Sequence, residues 1–393
     1  MKSIYKYKFS ISRFYINFSS FLVLFSFILG SGVMKIQVIG LALVILSFCE
    51  LMYSKANRKK LLNSSVLLFY FYLISSITIS AVISATLNVT LDSIITYNFS
   101  IYFFLFLYFY AAKKQLFVKK YEQAAVFFSV IVIILTVLGL FNIPWGKMIQ
   151  KKVLSVLSGM DGQKPIAGII FQGFYLQGTL AIVPAAVSLM YQKKWESFVV
   201  CFSALALALS RWSLITIILC YGLMNYKKTV KLIIVIILFF ALGFIANIPI
   251  IMSLLDIFSG KDDGMSIRTG HLLGIIEILS ENPMYFFIGQ GPGSLFYSYG
   301  FHKFTSTVEI SQFDFLRKYG IFTTIVFSLF LLLLSFMLIK KTDDIGKSLG
   351  WGILAHFIVS ISNPVLLSLP FMSFLAISCA YYQNYMKRMR WKN

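Results

Sequence analysis

The run SFVVCFSALALALSRWSLITIILCYGLMN, residues 197–225, decides how often the chain crosses a membrane and on which side each later loop lies. Its one charged residue is Arg211, near the middle and flanked by Ser210 and Ser213. Its 29 residues read either as one tilted helix or as two short legs hinged at Arg211. Lys193 and Lys194 precede the run, and Lys227, Lys228 and Lys231 follow it. Basic residues beside apolar spans mark the cytoplasmic side, so two legs keep both clusters inside. A single crossing would send Lys340, Lys341, Lys347 and the tail residues Lys387, Arg388, Arg390 and Lys392 outside. The expectation is a hairpin.

The rest of the chain extends this picture. It is 59% hydrophobic and 12% charged, with a mean hydropathy of +0.84, a composition that water would not tolerate on a folded surface. Repeated apolar runs of roughly 17 to 25 residues predict one all-α polytopic membrane domain covering 1–393. Spans are expected over 14–33, 36–53, 64–85, 94–112, 124–141, 173–191, the two legs of 197–225, 230–248, 320–339, 349–362 and 365–382. That makes twelve, with both termini cytoplasmic. An outer loop falls at 142–172, and a large one at 249–318 lies between spans nine and ten. The net charge of +21 is dispersed in clusters between apolar runs, so it reports topology and argues against a nucleic-acid partner. Cys49, Cys201, Cys220 and Cys379 fall in apolar segments without metal or disulfide spacing. The first apolar run lacks a small-residue cleavage site and reads as a span. His271, His302 and His356 are too scattered for a metal motif.

Depth makes Arg211 unusual. Each leg has about 14 apolar residues, roughly 21 Å of helix against a hydrocarbon core of roughly 30 Å, so Arg211 should sit below the outer lipid surface. A guanidinium cannot shed its charge there and needs a partner. It either snorkels to headgroups or pairs with a loop carboxylate, or it holds a phosphate through paired hydrogen bonds. Ser210 and Ser213 add hydroxyls to such a site, or bond back to helix carbonyls.

The large loop carries most of the remaining polar chemistry. Asp263 or Ser266 can cap a helix that Asn282-Pro283 stops. Helical periodicity puts Arg268 on one stripe with Leu272, Ile275 and Leu279, and Gly270, Gly274, Glu277 and Glu281 on a small polar face. The helix is expected to lie on the membrane with its apolar face down. Arg268, at the end of that stripe, reads as an anion contact or a structural ion pair. Gly289, Gly291 and Gly293 around Pro292 predict a tight turn, with a phosphate cradle disfavoured because proline has no amide hydrogen. Glu309 and Asp314 are candidate proton acceptors, or else partners for Arg268 or Arg317. Tyr285, Tyr297 and Tyr299 fit sugar stacking or a membrane interface.

Two sets of residues carry a family resemblance. Leu207-Ala208-Leu209-Ser210-Arg211 resembles the Ser-Arg element of the bacterial O-antigen and capsule polymerase and ligase family (Wzy and its ligase relatives). The later order is similar too: Arg268 opening a helix, Glu281-Asn282-Pro283, the glycines from Gly289 to Gly293, Asp314-Phe315-Leu316 before Tyr319-Gly320-Ile321, and Ser362-Asn363-Pro364. The detailed match spans 204–322. The histidine that ligase members carry late in the loop is replaced here by Glu309, which favours polymerase.

That resemblance implies a GT-C-like, metal-independent glycosyltransferase without a cofactor, in the bacterial inner membrane. It would move a glycan from undecaprenyl diphosphate to another lipid-linked repeat unit on the outer face. Its partners would be that lipid-linked oligosaccharide, membrane lipid, and the chain-length regulator and flippase of the same pathway. Arg211 and Arg268 are the expected diphosphate ligands and Glu309 the expected base. Ser210, Ser213, His271, Gly291, Gly293 and Asp314 are expected to contact substrate. A flippase or secondary transporter of lipid-linked sugars, or an O-antigen ligase, is the rival reading.

Overall fold

The computed structural model describes residues 21–22, 24–25, 28, 75, 79, 82, 116–140, 148–149, 151–153, 160–166, 169–208, 210–226, 263–306, 308, 310–363 and 366–390. The spans expected at 36–53, 94–112 and 230–248, most of those at 14–33 and 64–85, and Glu309 lie outside the described residues. Among the described residues the chain is mostly helical. The order is α1 (Leu116–Leu140), β1 (Met160–Ile166), β2 (Ile169–Tyr175), a 3-10 turn (Gln177–Ala181), α2 (Ile182–Tyr191), α3 (Trp195–Leu207) and α4 (Arg211–Met224). After these come α5 (Asp263–Glu281), α6 (Met284–Ile288), β3 (Phe296–Ser298), β4 (Lys303–Thr305), α7 (Ser311–Lys341), α8 (Asp344–Val359) and α9 (Leu369–Arg390).

The middle of the helical core is α2. Every residue from Ile182 to Met190 is buried, with α1, α3, α4 and α8 packed around it. Pro184 is tolerated because it falls in the first turn, where its missing N–H breaks no helical bond. The continuous span expected over 173–191 is not formed. The chain is a strand to Tyr175, then a 3-10 turn, and only then a helix of 10 residues. Low helix propensity at Gly173 and Gly178 explains the late start. Gly178 also lies so close to Phe128 and the Ile28 carbonyl that a side chain there would collide. At roughly 15 Å, α2 is about half the thickness of a hydrocarbon core.

The all-α expectation needs a second correction. β1 and β2 pair antiparallel, Met160 opposite Tyr175, in what was read as loop and span entry, and β3 pairs with β4 inside the large loop.

Two helices, Phe117–Leu138 and Ser311–Lys341, are long and apolar enough to cross a membrane. On α1 the exposed apolar residues are Phe127, Val130, Ile134 and Val137, and on α7 beyond Gly320 they are Phe322, Ile325, Leu329, Leu332, Leu333 and Phe336. Spacing of three and four puts each set on one helical face, and an unbroken apolar face suits lipid. The opposite face of α7, with Phe327, Leu331, Leu334 and Leu338, joins the core.

The chain over 197–225 is two helices. α3 ends at Leu207 and α4 begins at Arg211, which rules out one straight helix. α8 and α9 are offset from the expected 349–362 and 365–382. The α8 start is fixed by Asp343, whose carboxylate accepts the Gly346 amide at 3.1 Å and the Tyr381 hydroxyl at 2.6 Å.

A polar clasp crosses the core where α1, α2 and α8 meet. Glu122, almost fully buried, accepts from Ser188, from Gln192 at 2.6 Å and from Lys194 at 2.7 Å. Gln192 also donates to Ser348 at 2.9 Å. A buried carboxylate with this many donors is compensated for its lost hydration.

Candidate functional site

The break before α4 comes first in the chain. Ser210 takes the N-cap position, its amide donating to the Leu205 carbonyl at 3.2 Å. Its hydroxyl pairs with that of Ser213 at 2.6 Å, and Ser213 is fully buried. The two serines that were expected to face an anion thus hold each other across the first turn, with Arg211 opening the helix between them. The positive end of the α4 dipole lies at this point.

The loop is a folded unit seated on the head of α7. As expected, α5 runs up to Asn282-Pro283, where the Asn282 side chain accepts the Met284 amide at 3.2 Å. Its buried face is not turned to lipid, however. Gly270, His271, Gly274 and Ile275 pack on the β3–β4 hairpin, and Ile275 forms a small second core with Phe296 and Val308. Gly270 and Gly274 belong to this contact and not to a solvated polar face. A side chain at either would strike hairpin backbone, at Gly300 and Tyr297 respectively. Glu277 and Glu281 are exposed, as the periodicity predicted.

The glycine turn has a structural task. Gly320, with φ 75° and ψ 170°, interrupts the helical ladder of α7. The Gln290 amide then donates to the Arg317 carbonyl at 2.7 Å, and the Gly291 amide to the Lys318 carbonyl at 3.0 Å. Gly291 and Gly293 are both buried with positive φ, and the Gly291 amide is spent on α7. The phosphate-cradle reading loses that donor.

Arg317, fully buried, is the hub of the loop. Nη1 donates to Gln290 Oε1 and to the Ser294 carbonyl and hydroxyl, each at 2.9 Å. Nη2 reaches the Ser306 carbonyl at 3.0 Å and Asp314 Oδ1 at 2.9 Å, while the guanidinium lies 4.7 Å from the Phe296 ring centre. Lys318 Nζ takes the other Asp314 oxygen at 2.6 Å. Of the two roles open to Asp314, the geometry gives the ion-pair partner of Arg317. A carboxylate already gripped on both oxygens by cations is badly placed to accept a proton from a hydroxyl.

No protein-family model matches this sequence, and no curated protein matches it either.

The chemistry of the site is therefore carried by its own residues. His271 is fully buried one turn after Arg268, its Nδ1 2.8 Å from the Ser298 hydroxyl. That hydroxyl also accepts the Phe301 amide at 3.1 Å, which holds it against the imidazole. Nε2 has no hydrogen-bond partner among the described residues. Burial lowers the His271 pKa most; the nearby Asp314 carboxylate raises it, and the Arg268 cation lowers it again. Arg268, His271 and Asp314 thus share one electrostatic neighbourhood. Arg268 is half-buried at the end of its stripe, as expected.

α4, the helix that follows the Ser210–Arg211 break, and the head of α7, on which the loop sits, both meet α8. α4 packs along α8, and the head of α7 is bonded to its end, with Ser311 N on the Ser360 carbonyl at 3.3 Å and Gln312 on the Ser360 hydroxyl at 2.7 Å. Sequence reasoning missed Lys318, Gln290, Ser294 and Ser298. Asp314, Arg317 and Lys318 stand at helical spacing of three and four, a signal that a helix starting at Ser311 makes readable.

Proposed function

We propose that this chain is a polysaccharide polymerase of the O-antigen and capsule type, a metal-independent, polytopic glycosyltransferase of a bacterial inner membrane with cytoplasmic termini. One observation carries the reading. A helix break at Ser210-Arg211 and a folded polar loop bearing Arg268 and His271 are both tied to α8, beside apolar helices suited to lipid. That arrangement fits a substrate with a lipid tail and an anionic, sugar-bearing head.

In this reaction the bond between the sugar anomeric carbon and the diphosphate oxygen breaks, and the electron pair leaves with undecaprenyl diphosphate. The acceptor hydroxyl oxygen of a second lipid-linked repeat unit forms the new bond, and its proton passes to a base. Arg211 and Arg268 neutralise the charge growing on the diphosphate, the largest electrostatic demand of the step. Glu309 takes the proton. Asp314 is committed to Arg317 and Lys318, so its part is to hold the loop. His271, whose pKa is lowered chiefly by burial, brings a neutral imidazole to the site and not a charge.

Reconstitution with lipid-linked repeat units tests this reading. A ladder of lengthening products is the expected result. Transbilayer movement of the lipid without chain growth would assign the chain to transport instead.

A further inference from the structure

The β3–β4 hairpin turns one face inward and one outward. Phe296 and Ser298 point into the loop core, while Tyr297 points out. Tyr297 is paired in register with Phe304, so both rings lie on the same outer face, 5.5 Å apart and edge to face. Tyr299 adds a third ring 5.3 Å from Tyr297. All three are exposed, Phe304 by 68%. Three clustered rings left open to solvent forgo the burial that aromatic side chains normally obtain.

What surrounds the rings selects the occupant. Tyr299 donates its hydroxyl to Glu277 at 2.8 Å, and Glu281, one helical turn further on, lies close enough to act on the same hydroxyl. Both carboxylates are exposed. Against these two negative charges stands one positive one, the exposed Lys303 of β4, and the net negative charge beside the rings disfavours a surface of anionic lipid headgroups. Carboxylate acceptors next to aromatic faces suit a ligand with hydroxyls and C–H faces, which is a neutral carbohydrate. The exposed apolar residues of α6, Met284, Phe286, Phe287 and Ile288, have no acidic residue among them and adjoin the lipid-suited face of α7 at Phe322. The loop therefore carries two unlike surfaces, and the charged one, with Glu277 and Glu281 of α5 and Lys303 of β4, is at the hairpin.

We infer that Tyr297, Tyr299 and Phe304, with Glu277, form a glycan-binding platform that holds the growing saccharide chain by ring stacking away from the reacting bond. The inference rests on the polymerase reading and adds a subsite to it. Such a platform governs how long a chain stays bound, and so acts on product length more than on the first transfer.

The test uses the full chain in its source cell, with the gene deleted and then restored as wild type, as Tyr297→Ala/Phe304→Ala, or as Tyr297→Trp/Phe304→Trp. Surface polysaccharide is sized on gels at matched protein level. Deletion should abolish polymer, the alanine pair should lower the modal repeat number at least two-fold, and the tryptophan pair should restore it. Polymer that survives deletion overturns the polymerase reading. Polymer lost on deletion but of normal length in the alanine pair overturns the platform alone, as does a tryptophan pair no better than alanine. If the alanine pair does not accumulate, the wild-type protein in nanodiscs is mixed with polysaccharide fragments purified from the same cell. Saturation transfer from aromatic protons to sugar protons is then expected, and its absence overturns the platform. In nanodiscs of brominated phosphatidylcholine, strong quenching of a Tyr297→Trp side chain would assign the hairpin to the membrane instead.

Discussion

Arg317 Nη2 and Asp314 Oδ1 meet at 2.9 Å on the first turns of α7, and the same guanidinium gathers the glycine turn and the segment after β4. Removing one member of such a pair strands the other charge in a buried site, at a cost of about 3–5 kcal/mol. Asp314→Ala and Arg317→Ala should each lower the thermal midpoint of the purified protein by many degrees. Asp314→Asn should destabilise less than Asp314→Ala, because an amide oxygen can still accept from Arg317. An Asp314→Asn protein as stable as wild type but without activity would return Asp314 to a chemical role.

Gly289 and Gly320 interlock. A side chain on Gly289 would run into the Lys318 carbonyl, and one on Gly320 into the Phe287 carbonyl, and both residues hold positive φ with extended ψ. That backbone region is nearly closed to other residues and costs about 1–3 kcal/mol. Gly320→Ala raises helix propensity, so a propensity argument alone predicts a more stable α7. The expected result is the reverse: lower thermal stability and faster proteolysis within 284–306.

The contrast between these glycines and the break at Ser210 shows what the sequence made legible. Asn282-Pro283 and the interruption at Arg211 are local signals, and both elements end where those residues stand. The helical head of α7 was hidden because Lys318, Arg317 and Asp314 look like a polar loop until their charges are paired on one helical face. Apolarity over 173–191 was read as a membrane span, yet at 176 and 178–181 it reflects burial around a 3-10 turn. The Glu122 clasp joins residues 122, 188, 192, 194 and 348, a long-range grouping that no periodicity announces. Of the proposed site, the Ser210-Arg211 break and the Arg268 stripe were readable, whereas the Ser298 support of His271 depends on a hairpin that only folding creates.

His271 makes the loop sensitive to acid. Its pKa is lowered in the folded protein, chiefly by burial, so between that lowered value and the unfolded value of about 6.5 the unfolded loop binds more protons. Stability contributed by neutral His271 is present above about pH 6.5 and is lost as the pH falls through the folded value. Amide protection over 263–306, taken relative to the unfolded exchange rate at each pH, should fall on acidification below that point. His271→Gln should flatten the response over the same range. Protection that stays constant with pH in the wild type would mean that His271 carries no buried-charge penalty.

The arginines supply the sharpest test of the reaction. Arg211→Lys and Arg268→Lys keep the positive charge and lose the planar fork that grips two phosphate oxygens at once. One lost charge-assisted hydrogen bond is worth about 1.5–3 kcal/mol, and about 1.4 kcal/mol is tenfold in rate. Each lysine variant should therefore cut polymer formation at least tenfold at normal protein level. Glu309→Gln should do the same by removing the proton acceptor and leave binding of the lipid-linked substrate in place. Full polymer yield from either lysine variant would show that its guanidinium does not hold the diphosphate. Activity surviving in Glu309→Gln would move the base elsewhere, because Asp314 is already held by two cations.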